Sequence, residues 1–247
     1  MPDWLRRDYA GSPFVLFGTA HLGTLALIVT SCLLLAWFCR GPAATPPRKA
    51  AIRYGLAALL PATQIAWDGW QIVAGVWTID WSLPLHICQL AQLLSVVMLL
   101  TRSRRLFDVL YFWGVVGVTQ ALLTPNLSMH GFPHIAFLAY FLSHGATLLA
   151  VTYMLAAEGY RPGWGSLGRS WLALHLLLPL IVLLNLATGG NYWFLAHPPI
   201  TPSLIDYLGP WPWYIPAIEL IGLGLFVLAL LPFVWNRPAR AKRRMAQ

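Results

Sequence analysis

Seven apolar runs dominate the sequence, and each is close to the length that crosses a lipid bilayer. About 20 residues of α-helix span the hydrocarbon core. The runs cover approximately residues 15–39, 53–76, 83–101, 106–124, 133–157, 168–188 and 211–235. Because lipid offers the backbone no hydrogen-bond partners, apolar spans of this length fold as helices. The sequence therefore predicts an all-α polytopic membrane protein, a seven-transmembrane-helix bundle.

The composition argues against a soluble domain and against a nucleic-acid partner. Only 10% of the 247 residues are charged, whereas soluble domains carry about 25%. The net charge of +8 comes from short basic clusters between the apolar runs, so no nucleic acid is expected to bind. The 13 tryptophans suit a membrane protein, because indole rings favour the membrane–water interface. All three cysteines lie in apolar runs, and no disulfide scaffold is expected.

The basic residues predict the orientation of the chain, because Lys and Arg concentrate in cytoplasmic loops. Fourteen of the sixteen follow the first, third and fifth apolar runs or lie in the C-terminal tail; the exceptions are Arg6 and Arg7. We therefore expect an N-terminus outside and a C-terminus inside, in the bacterial cytoplasmic membrane. The predicted parts are an extracytoplasmic segment over 1–14, a transmembrane domain over 15–237 and a basic cytoplasmic tail over 238–247.

Polar side chains concentrate in the predicted outer half of the bundle. An unpaired polar group inside a bilayer costs free energy, so each indicates a functional site unless it only joins two helices by hydrogen bonds. Six runs contribute to a predicted cavity open to the outside, through Gln64, Asp68, His86, Cys88, Gln89, Gln92, Gln120, Thr124, His134, His144, Asn185 and Glu219. Its outer mouth is expected to hold Asp80, Asn191, Asp206 and Tyr207. His130 and His134 flank Pro133 and are interpreted as solvated loop histidines.

The stretch HICQ at the start of the third run places a thiol among polar neighbours. Cys88 and Gln92 share one helix face, whereas His86 and Gln89 share another. His86 is therefore a poor base for the thiol, which is nucleophilic only as the thiolate. His144 is the only histidine predicted to lie deep enough on another helix, about 7 Å deeper than Cys88. A Cys88–His144 dyad is the resulting hypothesis.

Four stretches, taken together, resemble one protein family. They are LPLHICQLA, LTPNL, YFLSHGATLLA, and NYWFL followed by SLIDYLGPWPWYI. The set spans nearly the whole chain and resembles the YwaF-like bacterial integral membrane proteins, which are similar to the mammalian TMEM-type acyltransferase that makes polyunsaturated ether phospholipids. The resemblance implies a seven-helix bundle, also similar to the androgen-induced threonine-dependent lipid hydrolases. It implies a nucleophile at Cys88 and a catalytic histidine at His144.

A lipid acyltransferase, or transacylase, is the function that these observations favour. The Cys88 thiolate, activated by His144, would attack an ester carbonyl of a membrane phospholipid or lysophospholipid and pass the acyl chain to a second lipid or to water. Gln89 or Gln92 is expected to donate hydrogen bonds to the oxyanion. Glu219 is expected to orient His144 as the third member of a triad. No cofactor is expected.

Two other classes of function remain open. A metal-dependent lipid hydrolase would draw its ligands from the outer histidines and carboxylates, namely His86, His130 and His134 with Asp80 or Asp206, since these groups suit zinc. No compact ligand motif such as HExxH is present, and no metal is expected. A non-enzymatic transporter or ligand-binding bundle would use the same polar pocket and would keep its function when Cys88 is replaced.

Overall fold

The computed structural model describes residues 2–127, 129–199 and 203–235, and all regular secondary structure within these ranges is helical. Seven helices there match the seven apolar runs: α1 Thr19–Arg40, α2 Pro46–Val73, α3 Ile87–Thr101, α4 Arg104–Leu123, α5 Ile135–Ala156, α6 Trp164–Thr188 and α7 Tyr214–Val234. Short 3-10 turns lie at Asp3–Leu5, Tyr192–Phe194 and Leu204–Tyr207. The predicted tail over 238–247 lies outside the described residues.

Five of the described helices are long and apolar enough to cross a membrane, namely α1, α4, α5, α6 and α7. The 28 residues of α2 are sufficient in number, but Lys49, Arg53 and Asp68 make this helix less apolar. The 15 residues of α3 extend only about 22 Å, which is less than the hydrocarbon core. Many large apolar side chains of the five helices face outward. The chain is therefore a multi-pass helical membrane protein.

The helix α3 begins four residues later than its apolar run predicts. The hydroxyl of Tyr192 accepts a hydrogen bond from the backbone N–H of Leu83 at 3.0 Å, which ties this residue to a different loop. Pro84 follows and has no N–H to donate. The helix therefore begins at Ile87, and Cys88 lies in its first turn.

The central helix of the bundle is α5, which packs against α1, α2, α3 and α4. The last two helices, α6 and α7, pack on the α4 side. Within α4, a π-helical stretch over Trp113–Val118 lies where this helix meets α3, α5 and α7. Gly114 in this stretch faces Val151 of α5, and an added Cβ would lie 2.9 Å from Val151 Cγ2. Glycine therefore permits the close approach of α4 to the central helix.

The connections between helices fall at two ends of the bundle. One end carries the α1–α2, α3–α4 and α5–α6 connections, and we call it the basic end. Nine basic residues lie there: Arg40, Arg48, Lys49, Arg53, Arg102, Arg104, Arg105, Arg161 and Arg169. There, Arg169 and Arg104 pair with the buried carboxylate of Asp108 at 2.7 and 3.2 Å. The opposite end, the aromatic end, carries the N-terminal segment 2–18 and the three remaining connections. The candidate site lies at the aromatic end.

Candidate functional site

Cys88 of α3 shares its apolar surroundings with Tyr140 of α5. Both side chains pack against one apolar cluster, made of Val118, Leu122, Leu127, Ala136, Phe137 and Phe141. Cys88 is a free cysteine in the first turn of a helix, where the helix dipole favours negative charge. The residue that the sequence predicts as the nucleophile is thus available as a thiol.

His144 lies one helical turn after Tyr140, and the two rings are stacked with their centroids 4.1 Å apart. His144 Nδ1 lies 2.7 Å from the Tyr140 carbonyl oxygen. A carbonyl oxygen can only accept, so Nδ1 carries the proton of the neutral ring and Nε2 carries the lone pair. Within the described chain, no hydrogen bond reaches Nε2. This tautomer is the one that a general base with a free Nε2 requires.

Tyr140 therefore stacks on His144 and shares an apolar cluster with Cys88 of α3. Among the described residues, no hydrogen bond joins the thiol to the imidazole. A proton transfer between them requires a closer approach than this structure holds, and catalytic hydrogen bonds often tighten only when substrate is bound. The Cys88–His144 dyad stays a prediction.

Two buried polar atoms at the start of α3, His86 Nε2 and Gln89 Oε1, have no hydrogen-bond partner within the described residues. The His86 ring is surrounded by Trp81, Tyr192 and Phe194, with centroids 5.0, 5.2 and 5.7 Å away. Gln89 directly follows Cys88 in sequence, and the two ends of its amide are interchangeable in assignment. With the amide turned over, its NH2 group would occupy the position of the unpartnered Oε1 and could donate to a substrate oxygen. Gln89 therefore remains a candidate oxyanion donor.

Gln92, the other expected oxyanion donor, is committed to α2. Its Nε2 donates to Leu60 O at 2.7 Å and to Thr63 Oγ1 at 2.9 Å, so both amide protons are used. Gln92 is therefore an interhelical hydrogen-bonding residue, which corrects the expected oxyanion role. Gln64 makes a comparable contact within α2, where its amide donates to both carboxylate oxygens of Asp68 at 2.9 and 3.0 Å.

Glu219 faces a different histidine from the one expected. Its Oε1 lies 3.9 Å from Nε2 of His175, which joins α7 to α6. The main contacts of α7 are with α6 and α4, whereas His144 lies on α5 and its Nδ1 is bonded to its own helix. The expected Cys88–His144–Glu219 triad is therefore corrected: in this structure Glu219 does not orient His144.

Several of the predicted polar residues organise the α6–α7 connection. Asn185 exchanges two hydrogen bonds with the backbone of Tyr192, at 2.9 and 2.8 Å. Asn191, expected at the outer mouth, uses both ends of its amide to bond the backbone of residues 196–197. Asp206 accepts from the backbone of the turn that it belongs to. Of the four residues expected at the mouth, Asp80, Asp206 and Tyr207 are exposed, whereas Asn191 is buried.

The N-terminal segment 2–18 lies across the aromatic end and is bonded to it through two consecutive peptide groups. The carbonyl oxygens of Leu5 and Arg6 accept hydrogen bonds from Trp70 Nε1 at 2.8 Å and from His134 Nε2 at 3.0 Å, respectively. Side chains of α2 and of the α4–α5 connection thus hold this segment in place.

His130 and His134 are not the solvated loop histidines that the sequence suggests. His134 is fully buried, its Nδ1 accepts from Ala136 N at 3.1 Å, and the two rings stack at 4.3 Å. Burial lowers the pKa of both imidazoles below the ordinary value, and hydrogen bonds to the N-terminal segment oppose this shift. Both rings are therefore neutral at neutral pH.

The candidate metal ligands do not converge. Among the residues that the structure describes, no group of three His, Cys, Asp or Glu side chains is placed to hold a metal ion. His86 contacts the α2–α3 and α6–α7 connections, whereas His130 and His134 contact the N-terminal segment. Asp80 and Asp206 are exposed in their loops. The geometry gives the metal-dependent alternative no support.

Tyr140 is the residue of this site that the sequence prediction omitted. The available signal was its spacing, because Tyr140 and His144 stand four residues apart and so share one helix face. The sequence does not indicate that Cys88 of α3 packs against the same apolar cluster as Tyr140, because this depends on how two helices pack.

Comparisons with known proteins agree with this architecture. A model of the TMEM164 family matches residues 16–230. An uncharacterised protein of Treponema pallidum (strain Nichols) is 29% identical over 192 residues, which cover 76% of this chain and 77% of that protein. No solved structure matches the chain. Since the family match extends from just before α1 into α7, the chain belongs to the TMEM164 family.

Proposed function

We propose that this protein is a membrane-embedded lipid acyltransferase in which Cys88 is the nucleophile and His144 is the general base. The observation that supports the proposal is a shared location: the free thiol packs against the same apolar cluster as Tyr140, whose ring stacks on a correctly protonated imidazole. The resemblance carried by LPLHICQLA and YFLSHGATLLA points to the same two residues. The NH2 group of the Gln89 amide would be the donor for the oxyanion.

In the first half-reaction, His144 Nε2 takes the proton from the Cys88 thiol, and Sγ attacks the ester carbonyl carbon of a phospholipid. The tetrahedral intermediate carries its negative charge on the former carbonyl oxygen, near the Gln89 amide. When it collapses, the bond to the glycerol oxygen breaks. His144 returns the proton to that oxygen, which leaves a lysophospholipid and a thioester on Cys88.

In the second half-reaction, the hydroxyl of an acceptor lysophospholipid gives its proton to His144 and attacks the thioester carbonyl. The carbon–sulfur bond breaks, the thiolate recovers the proton, and a new phospholipid is released. Water in place of the acceptor would release a fatty acid. The apolar surfaces of the surrounding helices give both lipids access from the bilayer.

The proposal includes the orientation in the membrane. Seven spans, with the aromatic end outside and the basic end in the cytoplasm, place the site in the outer leaflet of a bacterial cytoplasmic membrane. The nine basic residues at one end support this orientation, because Lys and Arg are retained on the cytoplasmic side. α2 and α3 then cross the membrane while packed against each other and against α5.

The test is to incubate the purified full chain in nanodiscs with a phospholipid and a lysophospholipid of different headgroup, and to follow acyl transfer by mass spectrometry. We expect an acyl adduct on Cys88 that hydroxylamine removes. Cys88→Ala is expected to abolish transfer, and His144→Ala to lower it by about 10²- to 10⁴-fold, the contribution typical of a general base.

Matched controls are Cys32→Ala and Cys39→Ala, which remove the other free thiols and are expected to keep full activity. Transfer that survives Cys88→Ala would exclude the thiol mechanism. If the wild type shows no transfer and the Cys88→Ala variant binds lipid with unchanged affinity, the protein is instead a non-enzymatic binding protein.

A further inference from the structure

Tyr140 makes contacts that the proposed mechanism does not use. Its hydroxyl donates to the carbonyl oxygen of Ala121 at 2.8 Å, near the end of α4. Its ring stacks on His144 of its own helix, with an interplanar angle of 24°. The same side chain packs against the apolar cluster that Cys88 of α3 also contacts. Tyr140 is thus in direct contact with His144, is bonded to α4 and shares its apolar surroundings with Cys88.

The contact with α4 has a cause in the sequence. In a continuing helix, the carbonyl of Ala121 would accept from the N–H of the residue four positions on, but that residue is Pro125, which has no N–H. The adjacent carbonyl, that of Leu122, is satisfied by His21 Nε2 at 2.9 Å. Tyr140 and His21 therefore complete the C-terminus of α4 with side-chain donors.

The hydroxyl bond to α4 fixes the Tyr140 ring, and the Tyr140 ring in turn limits the plane of the His144 imidazole. The Nδ1 hydrogen bond sets only the tautomer of His144, because any residue at position 140 supplies the carbonyl that accepts it. Rotation about the terminal side-chain bond of a histidine is broad and roughly two-fold. The stacked phenol is therefore the part of Tyr140 that selects the ring orientation.

We propose that Tyr140 is a positioning residue, which holds the His144 imidazole in the plane from which Nε2 serves Cys88. The inference rests on the proposed Cys88–His144 mechanism. It assigns to Tyr140 a role through His144, without contact to the reacting atoms. Without its hydroxyl, the Tyr140 ring loses its hydrogen bond to α4 and is held less firmly. Without the Tyr140 ring, the His144 imidazole loses the surface on which it stacks.

The experiment measures the rate at which an apolar maleimide labels Cys88 in the full chain in nanodiscs, resolved by site with mass spectrometry. This readout needs no acyl transfer. Tyr140→Phe keeps the stacking and removes the bond to Ala121, and we expect labelling to slow by about two- to tenfold, the range set by the net value of one hydrogen bond. Tyr140→Leu removes the stacking as well, and its rate should fall to that of His144→Ala.

A matched control is Tyr111→Phe, because the Tyr111 hydroxyl makes an equivalent bond between helices, to Ala229 O at 2.7 Å, and lies in the other apolar cluster. It should leave the labelling rate unchanged. The double variant Tyr140→Leu/His144→Ala should label no more slowly than His144→Ala alone, because two residues acting through one group are not additive.

Each outcome decides one of two questions. Labelling that does not depend on His144 would remove the proposed base and, with it, the proposed mechanism. Dependence on His144 together with equal rates in Tyr140→Phe and Tyr111→Phe would leave the mechanism standing and overturn the positioning role. Additive losses in the double variant would also overturn it, since Tyr140 would then act on Cys88 by a route other than His144.

Discussion

The carboxylate of Glu219 lies 3.9 Å from the imidazole of His175, and this contact joins α7 to α6. Both side chains are partly exposed, at 37% and 39%. The pair stands apart from Cys88, which packs against an apolar cluster that contains neither residue of the pair. Glu219 is therefore assigned to the association of the last two helices.

Glu219→Gln is expected to leave the rate of Cys88 labelling and of acyl transfer unchanged. Because the pair is partly exposed, its loss should lower the free energy of unfolding by less than about 1 kcal/mol. Activity assays and thermal unfolding of the purified protein measure the two effects. His175→Gln is the matched control and should behave in the same way. A loss of activity as large as that of His144→Ala would restore Glu219 as the third member of the expected triad.

Substitution of Gln89 is expected to lower turnover, whereas substitution of Gln92 is expected to lower stability. Gln92→Ala leaves Thr63 Oγ1 and Leu60 O without their α3 donor, which should cost about 1–3 kcal/mol of stability. Gln89→Ala breaks no hydrogen bond that the structure records, yet it should slow acyl transfer by about 10²- to 10³-fold if its amide binds the oxyanion. Parallel measurements of melting temperature and turnover would distinguish the two residues. Equal loss of turnover in both would remove the oxyanion assignment.

The orientation in the membrane predicts which ends of the chain a membrane-impermeant thiol reagent reaches. Tyr207 at the aromatic end and Arg105 at the basic end are both exposed. With the native cysteines replaced by serine, Tyr207→Cys should be labelled in intact cells, whereas Arg105→Cys should be labelled only after the membrane is opened. If Tyr207→Cys and Arg105→Cys were both labelled from the same side, an odd number of spans between the two positions would be contradicted, and with it the N-out orientation.

The two stacked histidines predict a pH-dependent attachment of the N-terminal segment. The folded-state pKa of His130 and of His134 lies below the ordinary value of 6.5, so the unfolded chain binds protons more strongly. Their contribution to stability is therefore fully present above pH 6.5 and is lost as the pH falls through the folded-state pKa. Limited proteolysis of residues 2–18 should accelerate between pH 7.5 and 5.

His130→Asn should weaken this pH dependence, because one of the two titrating rings is gone. His197→Asn is the control, since His197 lies in the α6–α7 connection and bonds Asn191 and Pro198. The same pH dependence in both variants would show that the histidine stack does not control the segment.

The sequence by itself determined the helices and the distribution of charge. The length and apolarity of each run are local properties, and lipid requires that an apolar backbone satisfy its own hydrogen bonds; hence the helices match the runs to within a few residues at most ends. Two helices begin elsewhere than predicted. α3 begins late because Leu83 is bonded to the distant residue Tyr192. α2 begins early, at Pro46, in a basic stretch that the apolar run excludes. The gathering of basic residues at one end also follows from sequence order alone.

Only the tertiary structure decided which polar groups meet. Cys88 and His144 stand 56 positions apart, and periodicity fixes the face of each residue on its own helix but not the rotation of that helix against its neighbours. Packing turned Gln92 toward Leu60, brought Glu219 to His175, bonded His134 to the backbone of Arg6 and placed Tyr140 and Cys88 against one apolar cluster. These choices depend on side-chain shapes at several interfaces at once, such as the close approach of Gly114 to Val151. The sequence pattern does not predict these contacts, because each depends on the packing of helices that are distant in sequence.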